Sequence, residues 1–449
     1  MKERIQTAAV AVIGGGASGL MAAIAAARGL RDSKTKSIKH PGEPSPNDRE
    51  DRVVVLERCD RIGRKLLATG NGRCNFSNTG IESALYHPAP WVEQVYSMLP
   101  PVRIHESFES MGLMIRCEDG RLYPASGTGT SVLDVLRLEL DRLQVALECD
   151  FSAIKLLPKK GGWLLEAADG RQLLARRVIL AAGGKASPQL GSDGSGYALF
   201  TGLGHGLRPI EPALTGLRCP VHEVRSLGLK SLNGVRLQAK ADWYQAAFAG
   251  DKMVLKASET GEILFREYGL SGIAIFQLSR WTGPGEIRLD LFPELRFEDL
   301  LQKLIQMRQT LGWRSREAFL VGTLHKRVIQ VLMQQASLQA KGTAADFTDA
   351  DLKKLAGSMK DWRFPMAGNT GWQQAQITLG GLSVQEFDPL TLESKIQPGL
   401  YAAGEILDVD GPCGGFNLHW AWTSGWLAGT AAALSLSETK NPLIRKQGG

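Results

Sequence analysis

Ala8-Ala9-Val10-Ala11-Val12-Ile13 runs directly into Gly14-Gly15-Gly16-Ala17-Ser18-Gly19, and the reading of this junction decides the fold. Six consecutive apolar residues suit a strand buried on both faces, as in a parallel sheet covered by helices. Gly14-x-Gly16-x-x-Gly19 then supplies a tight turn, a bare backbone that a pyrophosphate can approach, and a close contact between helix and strand. The alanine-rich stretch that follows reads as a helix ending near Gly29-Leu30. Its free N–H groups and positive dipole end face the turn. Strand logic resumes at Val53-Val54-Val55-Leu56-Glu57. An acid closing that strand accepts ribose hydroxyls and disfavours a 2′-phosphate, so FAD or NAD is favoured over NADP. The interval from Gly19 to Glu57 exceeds the usual ~20 residues. Residues 31–52 account for the surplus, because they are almost wholly polar and read as a solvated excursion.

The bulk numbers bound the rest. A chain of 449 residues is long for one core and argues for two or three domains. Its 43% apolar and 22% charged residues are ordinary for a soluble enzyme. The formal charge of +7 attracts an anionic cofactor, but the cations are scattered and form no basic arm for nucleic acid. Six cysteines without CxxC spacing argue for a reduced protein without a zinc site. Lys2 and Arg4 before an apolar stretch imitate a secretory signal, which three consecutive glycines interrupt. No run reaches the ~18 apolar residues of a membrane span. The expectation is a cytoplasmic protein with no membrane and no nucleic-acid partner.

Along the chain, Ser131–Arg142 reads as a helix, and Val145–Cys149, Trp163–Ala167 and Arg177–Leu180 as strands. The last of these ends in a second glycine junction, Ala181-Ala182-Gly183-Gly184. From about Glu211 alternation such as Val235-Arg236-Leu237-Gln238-Ala239 predicts antiparallel strands. Helical spacing follows over Phe297–Leu311, Arg316–Ser337 and Asp349–Lys360. The predicted class is therefore α/β: a discontinuous Rossmann-like domain of the glutathione-reductase type. It is formed by residues 1–210 and 367–449, with an inserted module over 211–366 that is β-rich at 211–290 and helical at 296–362. A final helix is expected over roughly Leu418–Leu434.

Three long motifs carry a family resemblance. One is Gly63–Asn75 with its core Ala68-Thr69-Gly70-Asn71-Gly72-Arg73-Cys74-Asn75. The second is Ala182-Gly183-Gly184-Lys185 with Gly191-Ser192-Asp193-Gly194. The third runs from Gly380-Gly381 through Gly404-Glu405 to Gly414-Gly415-Phe416-Asn417-Leu418. Together they resemble the BaiN-type flavoproteins, also described as the aminoacetone oxidase family, over nearly the whole chain except residues 31–52.

The resemblance implies non-covalent FAD. Gly14, Gly16, Ala17, Ser18 and Gly19 would take the pyrophosphate, and Glu57 with Arg58 the adenosine end. Arg64 and Lys65 suit phosphate or ribose oxygens, or are simply solvated. Thr69, Gly70, Asn71, Gly72, Arg73, Cys74 and Asn75 would wrap the ribityl chain and ring. Ala181, Ala182 and Gly183 would lie beside the adenosine and ribityl backbone. Gly404-Glu405 would accept a ribityl hydroxyl, and Gly414, Gly415, Phe416, Asn417 and Leu418 would bring a helix N-terminus to the N1/O2 edge, where its dipole favours the reduced anion.

No catalytic residue is legible. His419, where relatives carry glutamine, is either a proton donor or a packing residue, and Cys74 either a reactive thiol or a buried filler. Arg266-Glu267 and Ile273 also depart from the family pattern, as does Phe416 in place of tyrosine. The expected activity is hydride transfer between flavin N5 and a small organic substrate, either as an amine oxidase or as an ene-reductase. No second strand–GxGxxG unit is visible, so NAD(P)H would visit only transiently as reductant. The alternative is an FAD-dependent tRNA-modifying enzyme.

Overall fold

The structure, a computed structural model, describes residues 6–35, 52–246, 252–281 and 283–440. Most of the polar excursion, residues 36–51, lies outside the described residues. Residues 31–35 do not belong to it: they continue the first helix past its expected stop at Gly29-Leu30, because a single glycine weakens a helix without ending it.

The chain divides into two compact units, Met1–Glu211 with Ile377–Gly449, and Pro212–Gln376. In the first, β1 (Gln6–Ile13) leads to α1 (Ala17–Thr35) and β2 (Val53–Leu56). There follow α2 (Gly129–Arg142), β3 (Ala146–Glu148), β4 (Ala153–Lys159), β5 (Gly162–Ala167) and β6 (Gln172–Leu180). Much later come β7 (Leu400–Ala402) and α3 (Phe416–Lys440). The sheet runs β3-β2-β1-β6 in parallel. β7 adds in parallel to β6, and β5 then β4 add antiparallel. Register aligns Ile13 with both Leu56 and Leu180, and Leu180 with Ala402. The strands therefore end along one edge, where ligands of open α/β sheets bind.

α1 and α3 pack backbone against backbone. A Cβ on Gly425 would lie 2.3 Å from the Ser18 carbonyl oxygen, and one on Gly429 2.2 Å from that of Ala22. Gly29 meets the methyl of Ala433 in the same way. This absence of side chain lets two nearly apolar helices share one core with the sheet, through Leu20, Ile24, Trp422, Ala428 and Ala432.

The second unit holds an antiparallel sheet. Its order is Trp362–Met366, Gly285–Asp290, Arg236–Gln245, Val254–Arg266, Gly269–Ser271, Leu217–Arg218 and Gly368–Asn369. Because Gly368–Asn369 pairs with Leu217–Arg218, the unit runs to Gln376 rather than to 366. The helix expected over 316–337 is broken into a 3-10 turn at Arg316–Ala318 and a helix at Lys326–Gln335. Gly322, at a left-handed φ of 95°, interrupts it, and the His325 side chain caps the second piece. Leu300, Leu304, Val328, Ile329, Leu332 and Leu352 turn the helical faces into one core with the strands.

Gly425→Leu is expected to lower the stability of the first unit by about 1–3 kcal/mol or more, since no room exists beside the Ser18 carbonyl. Gly357→Ala, in a helix where an added Cβ meets nothing within 4 Å, should instead stabilise by about 0.5–1 kcal/mol. Urea denaturation of both variants checks the pair.

Candidate functional site

Four loops leave the common strand edge. The first is Gly14–Gly16 after β1. Gly14 adopts a φ of 111°, and a Cβ there would sit 2.4 Å from the Ala181 carbonyl oxygen. Gly19 is pinned more tightly, since a Cβ there would lie 1.9 Å from the Gly14 carbonyl oxygen. Gly16 differs: a Cβ there would meet nothing within 4 Å, so it faces open space at the start of α1. Ala17 is half-buried and Ser18 buried, with the Ser18 Oγ pressed against Gly404.

Glu57, just past β2, binds both neighbouring loops. Its Oε2 accepts from the Gly15 N–H at 2.7 Å and its Oε1 from the Cys59 N–H at 2.8 Å. Each oxygen keeps a lone pair for a further donor. Arg58 turns away to Asp193 and Ser195, with guanidinium-to-carboxylate separation of 2.5 Å. Burial opposes ionisation of Asp193, yet Arg58 and the Ser195 amide hold its carboxyl down to about 2. The Gly191–Gly194 motif thus works partly as an anchor for the residue after Glu57.

Lys65 and Glu405 are brought together, Nζ to Oε2 at 2.7 Å. The other Glu405 oxygen accepts from the Thr378 N–H at 2.8 Å. Arg64 reaches the Gln189 carbonyl at 3.3 Å. Thr378 was not legible as a site residue: its Oγ1 also accepts from the N–H groups of Lys185 and Ala186. It thereby ties the loop after β6 to Glu405. Its proximity to Gly380-Gly381 was the one available signal. Ala181 is spent on the turn, donating to the Ile13 carbonyl. Ala182 and Gly183 remain half-buried, and Gly183 adopts a φ of 72° beside the Ser192 Oγ.

The loop Thr69–Asn75 is tightly wound, with Gly70, Asn71, Gly72 and Cys74 all left-handed. Thr69 closes on the Leu66 carbonyl at 2.6 Å. Arg73 points outward to Glu118 and lies over the Tyr123 ring, which removes its charge from the loop interior. Asn75 Oδ1 is buried without a hydrogen-bond partner, 2.8 Å from where a Cβ on Gly415 would stand.

Gly414 and Gly415, at φ 113° and 99°, lead into α3. Gly404, at the end of the preceding strap, donates to Ser424 Oγ and accepts from Trp420 Nε1. The Asn417 side chain is fully engaged with the backbone of Gly411 and Pro412. It shapes the turn that precedes α3. Phe416 is buried against Tyr86, and Leu418 is packed on the core. Trp422 donates to the Phe76 carbonyl, so α3 and the 69–76 loop are one assembly.

Both catalytic candidates are buried. His419 Nδ1 meets Ser77 Oγ at 2.8 Å, and the same hydroxyl meets His105 Nε2 at 2.7 Å. Desolvation, with His105 adding to it, pushes the His419 imidazole down to about 3, so it is neutral and packs inside α3. Burial raises the Cys74 thiol to about 11 against a small opposing hydrogen bond with Thr69. Both side chains are sealed in the interior of the first unit. Under native conditions at pH 8, Cys74 stays a neutral thiol and should resist iodoacetamide, whereas exposed Cys117 is alkylated. Mass spectrometry of the labelled protein checks this.

Residues 44–431 match the HI0933-like protein Rossmann domain model. A 3-dehydro-bile acid delta(4,6)-reductase of Clostridium scindens is 37% identical over 435 residues, covering 94% of this chain and 98% of the relative. A ribosomal RNA dihydrouridine synthase of Escherichia coli is 27% identical, covering 84% and 90%. Among solved structures, a 3-ketosteroid delta1-dehydrogenase of Sterolibacterium denitrificans superposes with a TM-score of 0.48 at 15% identity, covering 96% of this chain and 100% of that one. No described helix is long and apolar enough to cross a membrane. The chain therefore belongs to the HI0933-like family of FAD-binding Rossmann proteins and is a flavin-dependent oxidoreductase.

Proposed function

We propose that this enzyme is an ene-reductase, which saturates a carbon–carbon double bond conjugated to a carbonyl in a small organic substrate. The observation that carries this reading is the bond change shared by its relatives. The activities of both relatives, a delta(4,6)-reductase and a dihydrouridine synthase, are reductions of a ring double bond. Such a bond accepts hydride only when a carbonyl draws electrons from its β carbon. The substrate gains hydride there and a proton at the α carbon, while NAD(P)H is oxidised to NAD(P)⁺.

The strand edge fits an elongated dinucleotide. Gly16 faces open space where a pyrophosphate can reach the α1 N–H groups. The free lone pairs of Glu57 suit the ribose, and the Lys65–Glu405 pair offers one donor and one acceptor for ribityl hydroxyls. The orphaned Asn75 Oδ1, buried beside Gly415, is an acceptor awaiting a donor such as a ring N–H. The α3 N-terminus after Gly415 adds a positive dipole end to that edge. Bound FAD supplies a two-electron carrier that accepts and gives hydride.

An RNA substrate is the second reading, favoured by the ribosomal RNA relative and the charge of +7. Anaerobic reduction of the purified yellow protein by NADH and NADPH separates the possibilities. Reoxidation by 2-cyclohexen-1-one or a steroid 4-en-3-one without oxygen is expected. Reduction by simple amines with reoxidation only by oxygen would overturn the proposal in favour of an oxidase. Reoxidation only by a uridine-containing ribosomal RNA transcript would establish the second reading. Separately, Gly16→Ala should leave the apoprotein's melting temperature unchanged, since the chain has room for the added Cβ. Its FAD affinity, read by quenching of flavin fluorescence, should fall about tenfold or more. Equal affinity in the variant would remove the pyrophosphate from this turn.

A further inference from the structure

We propose that a cavity of about 360 Å³ in the first unit, walled by His87, Arg208, Ser383, Gln385 and Asp408, binds a small zwitterion, its ammonium on Asp408 and its carboxylate on Arg208. None of these residues belongs to the loops assigned above to FAD, so the site stands independently of the flavin reading.

The walls are fixed by backbone contacts. The Asp408 N–H donates to the Leu382 carbonyl at 3.0 Å. His87 and Asp410 exchange both backbone hydrogen bonds, at 2.9 and 3.1 Å. Arg208 stands on strand Leu207–Ala213, which pairs with Ile377–Leu382, the strand leading to Ser383. Four chain segments thus meet around the cavity.

Among the described residues, the Asp408 carboxylate and the Arg208 guanidinium on these walls close no ion pair with each other. The Asp408 carboxylate is half-buried yet accepts no hydrogen bond and closes no ion pair among the described residues. Arg208 and His87 are both near enough to act on its charge. Burial pushes the Asp408 carboxyl up and Asp410 adds to this, while His87 and Arg208 work against them. A partly desolvated carboxylate without a donor is costly, and among the described residues the Arg208 guanidinium lacks a planar anionic partner. A ligand carrying both charges satisfies both walls at once: ammonium N–H groups to Asp408, and a carboxylate in the fork of Arg208. Pro88 and Val384 supply the carbon surface, enough for a short methylene frame. The volume lies at the small end of ligand sites, about 300–1,000 Å³, and so excludes a dinucleotide.

Isothermal titration of the flavin-loaded full chain tests this, with glycine, β-alanine, 4-aminobutyrate and 6-aminohexanoate as a ladder of charge separation. Butylamine and butyrate serve as singly charged controls. One rung of the ladder should bind with a Kd below about 1 mM, at least about tenfold tighter than either control. Arg208→Gln and Asp408→Asn should each weaken it about tenfold or more. Arg208 is exposed, so its variant carries the test if Asp408→Asn does not fold. The proposal is overturned if no rung outperforms both controls, or if binding is indifferent to Arg208→Gln.

Discussion

The approach of α1 to α3 is the constraint on which the rest of the first unit depends. The two helices come from opposite ends of the chain, and only bare glycine at 425 and 429 lets one backbone rest on the Ser18 and Ala22 carbonyls of the other. That contact fixes the body of α3 against the start of α1, while the N-terminal end of α3 lies beside Asn75 and Ser77. It also presses Gly404 against Ser18, and through Trp420 and Ser424 it holds the strap carrying Glu405. A site assembled from distant segments thereby acquires one rigid reference, and the entropy of closing a loop of hundreds of residues is offset by apolar burial spread over the whole helix pair.

Charge around the strand edge is arranged in pairs instead of being left free. Lys65 meets Glu405, Arg58 meets Asp193, and Arg73 meets Glu118. These are partly exposed pairs, so their contribution to stability is small; their consequence is positional. Each removes a cation from the general attraction of anions and fixes it against one loop. Inside, the opposite holds. Cys74 and His419 are kept neutral by desolvation, so α3 and the 69–75 loop meet without an unpaired buried charge.

The junction Ala8–Gly19 was legible because its requirements are local. Glycine is needed at Gly14 and Gly19 by carbonyls a few ångströms away, and the all-apolar strand needs cover on both faces. The helix over Phe297–Leu311 was legible for the same reason, its apolar spacing matching its exposed and buried faces. What was not legible depends on hydrogen-bond partners and backbone conformations that apolar spacing does not report. Thr378 becomes part of the site only because its hydroxyl finds Lys185 and Ala186. Asn417 shapes a turn because its amide is consumed by Gly411 and Pro412. The break at Gly322 follows from one left-handed residue within otherwise helical spacing.

By itself, then, the sequence determined the sheet class and its glycine turns, because steric and periodic demands are written in neighbouring residues. It also carried the resemblance that led to a flavin. The tertiary structure alone decided which polar groups are spent and which are left over. It sealed His419 and Cys74 in the interior, joined Lys65 to Glu405, and left the Asn75 Oδ1 without a donor among the described residues. Desolvation and hydrogen-bond satisfaction depend on every atom that packs around a group, and that information does not exist until the chain has closed on itself.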